Sequence, residues 1–163
     1  MILYSVGHSN ADIDSFIALL KRHKIQVLVD TRSKPYSRFL PHFSQGNLRI
    51  AIEEAGVEYV YLGDKIGGRP DDPRYYYDSG KVDYSLLATD SRYKAGVDAL
   101  VEMGRRGPTA FMCAEADYQR CHRYWLITKT LLERNVKVSH ILHSGGLAQS
   151  EASEFTPEQP SLF

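Results

Sequence analysis

The 163-residue chain has little sulfur to spend: two cysteines, Cys113 and Cys121, and three methionines. Two thiols eight positions apart make no disulfide framework, so a small secreted scaffold stapled by bridges is excluded. Long apolar runs are lacking as well. Stretches such as ILYSV and FIALL are far too short to span a bilayer, and the first residues lack the basic-then-apolar pattern of an export signal. A cytoplasmic protein with reduced thiols and no membrane partner is expected. Net charge is zero, so no strongly basic or acidic surface announces itself from composition.

The neutrality is uneven along the chain. Residues 151–163 hold Glu151, Glu154 and Glu158 and no Lys or Arg, which leaves the body with 20 basic against 17 acidic side chains. Within it, residues 31–52 carry Arg32, Lys34, Arg38 and Arg49 and no acid, with Tyr36, Phe39 and Phe43 interleaved. A basic loop with aromatics suits a phosphate-bearing or single-stranded partner. On composition alone the plainer account is a solvated loop whose aromatics pin it to the core.

Short β-branched runs at residues 2–7, 26–31, 58–63, 108–113 and 137–142 read as strands. Helical periodicity fills the segments between, at about 12–24, 46–56, 91–106 and 119–135. Asp12 or Asn10 is placed to cap the first helix, Gly56 to stop the second, and Asp90 or Ser91 to begin the third. The βαβαβαβαβ order predicts an α/β fold of three layers, with an open, parallel, five-stranded sheet and right-handed crossovers. One domain over residues 1–146 is expected, with 64–90 as a long tyrosine-rich inserted loop and 147–163 as a flexible C-terminal tail.

Polar residues gather after three strands: His8 and Ser9, then Asp30 and Arg32, then Cys113 and Glu115. Open α/β sheets bind ligands at the carboxyl ends of their strands. The strand order 3-2-1-4-5 would bring the three clusters together and is the order expected. The fourth strand leads into FMCAEADYQRCHRYW (residues 111–125), where both thiols, Glu115, His122 and Arg123 fall within eleven positions.

Zinc is disfavoured there, because C-x7-C is not the close pairing of structural sites and adjacent Cys121 and His122 on a helix diverge by about 100°. No metal ligand is assigned and no cofactor is expected, with a divalent metal or zinc kept open. A thiol nucleophile at Cys113 is a second possibility, although C-x6-R does not make the compact anion cradle of a thiol phosphatase. The third is an anion pocket. A helix starting near Gln119 would place Cys121, His122 and Arg123 in its first turn, with Arg32 and Arg38 approaching from the second strand's loop. Arg123 would pair with Glu115, Asp30 or a substrate phosphate. Asp30 and Glu115 supply carboxylates, and His8 and His122 supply groups that titrate near neutrality.

The pieces VGHSN (6–10), LVDTRSKPYSR (28–38), YLGDKIGG (61–68), CAEADYQRCHR (113–123) and VSHI (138–141), in this order, resemble the domain of unknown function 488 family. The resemblance implies that Gly7, His8, Ser9, Asp30, Arg32, Pro35, Ser37, Arg38, Cys113, Glu115, Cys121, His122 and Arg123 belong to one functional site, and it supplies no reaction. The chain's last residues, QPSLF, are similar to the bacterial sliding-clamp-binding peptide, in which Gln159, Leu162 and Phe163 would make the contact and Pro160 stands where Leu is more usual. The function expected is an enzyme acting on nucleic acid or a nucleotide, hydrolytic, in DNA repair or modification, recruited to the replication clamp. Asp30, Glu115, His8 and His122 would be catalytic, and Arg32, Arg38, Arg123, Ser9 and Ser37 would bind phosphate. The alternatives are a non-catalytic nucleic-acid-binding adaptor and a thiol-dependent enzyme using Cys113 on a small substrate.

Overall fold

The computed structural model describes residues 1–155. Gln159, Leu162 and Phe163 lie outside the described residues. Five parallel strands run as β1 (Ile2–Gly7), β2 (Val27–Asp30), β3 (Glu58–Tyr61), β4 (Thr109–Cys113) and β5 (Lys137–Ile141), and a short sixth, β6 (Leu147–Gln149), pairs antiparallel with β5. The helices are α1 (Ile13–Arg22), α2 (Gln45–Glu54), α3 (Gly63–Ile66), α4 (Tyr84–Leu87), α5 (Ser91–Arg106) and α6 (Lys129–Glu133), the last continuing a π-helix over Arg123–Thr128. The α/β architecture is as the sequence indicates, and the local signals are where they were expected. Asp12 accepts the Ser15 amide at 2.7 Å, Asp90 accepts those of Arg92 and Tyr93, and Gly56 takes φ +83 just past α2.

Two cores sandwich the sheet, and strand alternation deals residues to each. Leu3, Val29 and Phe111 face the core shared with α3, α5 and α6, where Tyr93, Leu100 and Leu131 are buried. Val6, Leu28 and Met112 face the other, closed by Phe16 and Leu20 of α1 and Leu48 and Ile52 of α2. Three layers result.

The sheet order is β3-β2-β4-β1-β5-β6, a correction to 3-2-1-4-5 in both order and strand count. β4 lies between β2 and β1, pairing Asp30 with Met112 on one side and Gly7 with Cys113 on the other. The three polar clusters still meet, because the central strand's carboxyl end is flanked by both others.

The structured part also extends past residue 146, where the tail was expected to begin. β6 is held by a buried relay: Ser5 Oγ lies 2.5 Å from His140 Nδ1, and His140 Nε2 lies 2.7 Å from Ser150 Oγ. Beyond it a 3-10 turn, Ala152–Phe155, packs the Phe155 ring 4.7 Å from that of Tyr124, and the Tyr124 hydroxyl donates to Glu154 at 2.5 Å. Among the described residues, no helix is long and apolar enough to cross a membrane.

Candidate functional site

At the carboxyl edge of the sheet a cleft of about 600 Å³ opens between β1, β2 and β4. Its walls include His8, Arg32, Ser37, Cys113, Glu115, Cys121 and His122 from the expected site, joined by Ser33, Lys34, Tyr36, Gly68, Arg69, Tyr84 and Arg120. Four cations border it, and although Asp30 pairs with Arg32 and Asp117 lies 3.6 Å from Arg120, Lys34 and Arg69 have no carboxylate partner among the described residues, against the single cleft carboxylate of Glu115. That balance favours an anion.

Arg32 is fixed before any ligand arrives. Its Nε and Nη2 donate to the two oxygens of Asp30 at 2.9 and 2.8 Å, and its Nη1 donates to the Phe43 carbonyl at 2.7 Å. Asp30 is fully buried and also accepts the Tyr59 hydroxyl at 2.6 Å and the Arg32 amide at 3.1 Å. A carboxylate with four donors has no lone pair left for proton transfer. Asp30 does not line the cleft, and its expected catalytic role gives way to that of orienting Arg32.

Both histidines are buried and neutral. His8 Nδ1 is 2.7 Å from the Ser9 carbonyl and must donate to it, which leaves Nε2 as the lone-pair nitrogen, 3.5 Å from Arg32 Nη1. Its ring stacks on Phe43 at 4.3 Å. Burial lowers its pKa to about 4, with the Arg32 charge adding to the shift. His122 Nε2 donates to the Thr31 carbonyl at 3.1 Å, so Nδ1 carries its lone pair, and burial again lowers the pKa to about 4. Gly68 is needed beside it, since a Cβ there would sit 2.7 Å from the His122 Cβ and Cγ. Neither histidine titrates near neutrality as the sequence suggested; desolvation takes that away.

The helix expected from Gln119 starts later. Asp117 caps a 3-10 turn over Tyr118–Arg120, Cys121 is extended at φ −144 and ψ 172, and His122 leads into the π-helix at Arg123. Cys121 and His122 therefore precede the helix and turn into the cleft, while Arg123 turns the other way and is 1% exposed. The Arg123 Nη2 donates to the backbone carbonyls of Glu115 and Ala116, at 3.0 and 3.4 Å, rather than to the Glu115 or Asp30 carboxylate. It packs under Gly7, whose missing side chain admits the Glu115 carbonyl and the guanidinium. Arg123 does not line the cleft and is not placed to bind phosphate there. Nor are Arg38, exposed with its guanidinium 5.8 Å from the Phe39 ring centre, and Ser9, a left-handed residue at φ 48. The Glu115 carboxylate is exposed and has no hydrogen bond or ion pair among the described residues.

The thiols touch. Cys113 and Cys121 Sγ lie 2.8 Å apart, both reduced, with Cys113 the more buried. Their pKa values move apart. The hydrogen bond from Cys113 lowers that of Cys121, helped by the Arg123 charge, and the same bond together with burial raises that of Cys113. Cys121 is thus the thiol more readily ionised and the less buried of the two, whereas the alternative reading of a thiol enzyme had named Cys113. No group of three His, Cys, Asp or Glu side chains among the described residues is arranged to hold a metal ion.

A family model described as "Domain of unknown function DUF488" matches residues 12–129. The chain belongs to that family. The part matched to DUF488 spans β2, α2, β4 and the segment from Cys113 to Arg123, and thus most of the cleft, while His8 lies just before it. No curated protein and no solved structure matches the chain. Sequence reasoning missed Arg69 and Arg120 as cleft residues and had Lys34 only as part of the basic loop. Arg69 came with a signal, the Gly67-Gly68 pair that brings the long loop against His122.

Proposed function

We propose that this chain is an enzyme that acts on nucleic acid or a nucleotide, hydrolysing a phosphate ester held in the cleft. The observation that carries this reading is the pair of exposed rings, Tyr36 at 74% and Phe39 at 87%, on the acid-free loop beside the cationic cleft. Of the three aromatics in that loop Phe43 alone is buried and pins it to the core. The other two are exposed and free to stack on the bases of a single strand, and Arg32, Lys34, Arg69 and Arg120 of the adjoining cleft would take its phosphates.

Arg32, pre-oriented by Asp30, presents the remainder of its fork to a phosphate without reorganising. Glu115 is the carboxylate whose oxygens remain open, and it serves as the base toward an attacking water. His122, kept neutral, offers the lone pair at Nδ1 to a donor on the substrate, while that of His8 at Nε2 faces Arg32 Nη1 and helps to hold the guanidinium. A place in DNA repair or modification, and recruitment to a bacterial sliding clamp through QPSLF, belong to the same proposal. They rest on the tail's similarity to the clamp peptide.

The test is incubation of the full chain with defined single- and double-stranded oligonucleotides and nucleotides, with and without divalent metal, reading products by mass. Turnover abolished by Glu115→Gln, with binding retained, supports the reading. Tight binding with no product under any condition would make the chain an adaptor instead.

A further inference from the structure

The sulfurs of Cys113 and Cys121, at 2.8 Å, are inside van der Waals contact. A disulfide needs about 2.05 Å, so closing the bond asks for less than about 1 Å of movement. Beneath them lies a charge with no counter-charge. Arg123 is almost fully buried, its Nε and Nη1 have no hydrogen-bond partner, and no carboxylate pairs with it among the described residues. A buried, unpaired guanidinium is costly. A thiolate at Cys121 would balance it. Access separates the two sulfurs: Cys121 is partly exposed on the cleft, whereas Cys113 is 3% exposed at the end of β4.

We propose that Cys121 and Cys113 are an attacking and a resolving thiol, exchanging with low-molecular-weight disulfides that carry negative charge. The Cys121 thiolate attacks one sulfur of the small disulfide, forming a mixed disulfide and releasing one thiolate. Cys113 then attacks the Cys121 sulfur. Its proton passes to the released thiolate, the second small molecule leaves as a thiolate that takes back the proton Cys121 gave to solvent on ionising, and a Cys113–Cys121 disulfide remains. In sum, a dithiol and a disulfide become a disulfide and two thiols, the protein being oxidised and the small molecule reduced. Run backward, the same steps oxidise a small thiol.

Two consequences follow from the surroundings. Oxidation removes the thiolate and leaves Arg123 uncompensated, so the dithiol is favoured and the protein disulfide is easily reduced. The cations of the rim, Arg32, Lys34, Arg69 and Arg120, raise the local concentration of anionic disulfides over cationic ones.

The experiment uses the full chain in its native state, without nucleic acid, so its outcome is independent of the hydrolytic proposal. Oxidised glutathione, which is anionic, or cystamine, which is cationic, is added in large excess over the protein, enough to drive a disfavoured protein disulfide; samples are acid-quenched over time and mapped by mass spectrometry. The wild-type protein should lose two hydrogens, joining Cys113 to Cys121, with two reduced glutathiones released per chain and no lasting adduct. Cys113→Ser should instead accumulate glutathione on Cys121, and Cys121→Ser should react about 100-fold more slowly. Glutathione disulfide should outpace cystamine by about tenfold at low salt. Arg123→Met, checked for folding by circular dichroism, should slow Cys121 by about tenfold. A native wild-type protein whose thiols do not react, an adduct that persists on it, or attachment at Cys113 would overturn the pair's roles, and cystamine reacting as fast would overturn the preference for anions.

Discussion

Asp30 and Arg32 meet edge to edge at the end of β2, two parallel hydrogen bonds of 2.8 and 2.9 Å joining one carboxylate to one guanidinium in a buried setting. The pair turns a flexible cation into a fixed one. Its cost is that neither charge tolerates the loss of the other. Asp30→Ala should destabilise the fold by about 3–5 kcal/mol, read by urea unfolding. Asp30→Asn should weaken phosphate binding while leaving the pH profile of any turnover in place; a lost titration limb would instead make Asp30 the base.

Acid should unfold this protein early. His8, His122 and His140 have folded pKa values of about 4, 4 and 3, all lowered chiefly by burial from an ordinary 6.5. Between those values and 6.5 the unfolded chain binds more protons, so stability is complete above about pH 6.5 and falls as pH drops through that window. The slope approaches about 1.4 kcal/mol per pH unit for each histidine. Melting curves from pH 7.5 to 4.5 should show the decline, and His140→Gln should make it shallower by one histidine's share. A flat profile in the wild-type chain would contradict the neutral assignments.

Tyr36→Ala and Phe39→Ala should each weaken single-stranded oligonucleotide binding by about 1–3 kcal/mol without moving the melting temperature, since both rings are exposed. Lys34→Ala and Arg69→Ala should reduce the salt dependence of binding by roughly one ion each. Fluorescence anisotropy over a salt series measures both. Unchanged affinity in the aromatic variants would remove the stacking platform.

Full-length chain should bind a bacterial sliding clamp with roughly micromolar affinity, the level a single short anchor supports. Leu162→Ala/Phe163→Ala and a truncation before Gln159 should abolish binding in calorimetry while leaving the cleft's behaviour intact. Equal binding by all three proteins, or none by the intact chain, would end the clamp proposal.

Much of the fold is legible locally. The β1 limits, the caps Asp12 and Asp90, and the stop at Gly56 are each set by neighbours in sequence. The strand order is not, because the polar ends of β1, β2 and β4 converge whether β1 or β4 is central. Convergence of His8, Arg32, Cys113, Glu115, Cys121 and His122 on one cleft could be read from the chain. Their states could not, because the saturation of Asp30 depends on Tyr59 from β3 and the neutrality of both histidines depends on burial. Periodicity ran the last helix through Cys121, where Asp117 instead caps a turn and the backbone extends. Residues 147–155 looked too polar to fold. The ladder with β5, a buried serine on His140, and Glu154 and Phe155 on Tyr124 dock them.

The central place of β4 also governs the order in which the molecule can be assembled. β1 and β2 are complete within the first 30 residues, yet they never pair with each other. β2 has β3 to join early, but both partners of β1, at Thr109–Cys113 and Lys137–Ile141, come from the last third of the chain. During synthesis β1 therefore waits, its apolar Leu3 and Val6 without their sheet, until the ribosome has delivered β4. Joining the two halves closes a loop of about a hundred residues, the kind of long-range pairing that slows folding and leaves nascent apolar strands uncovered in the meantime.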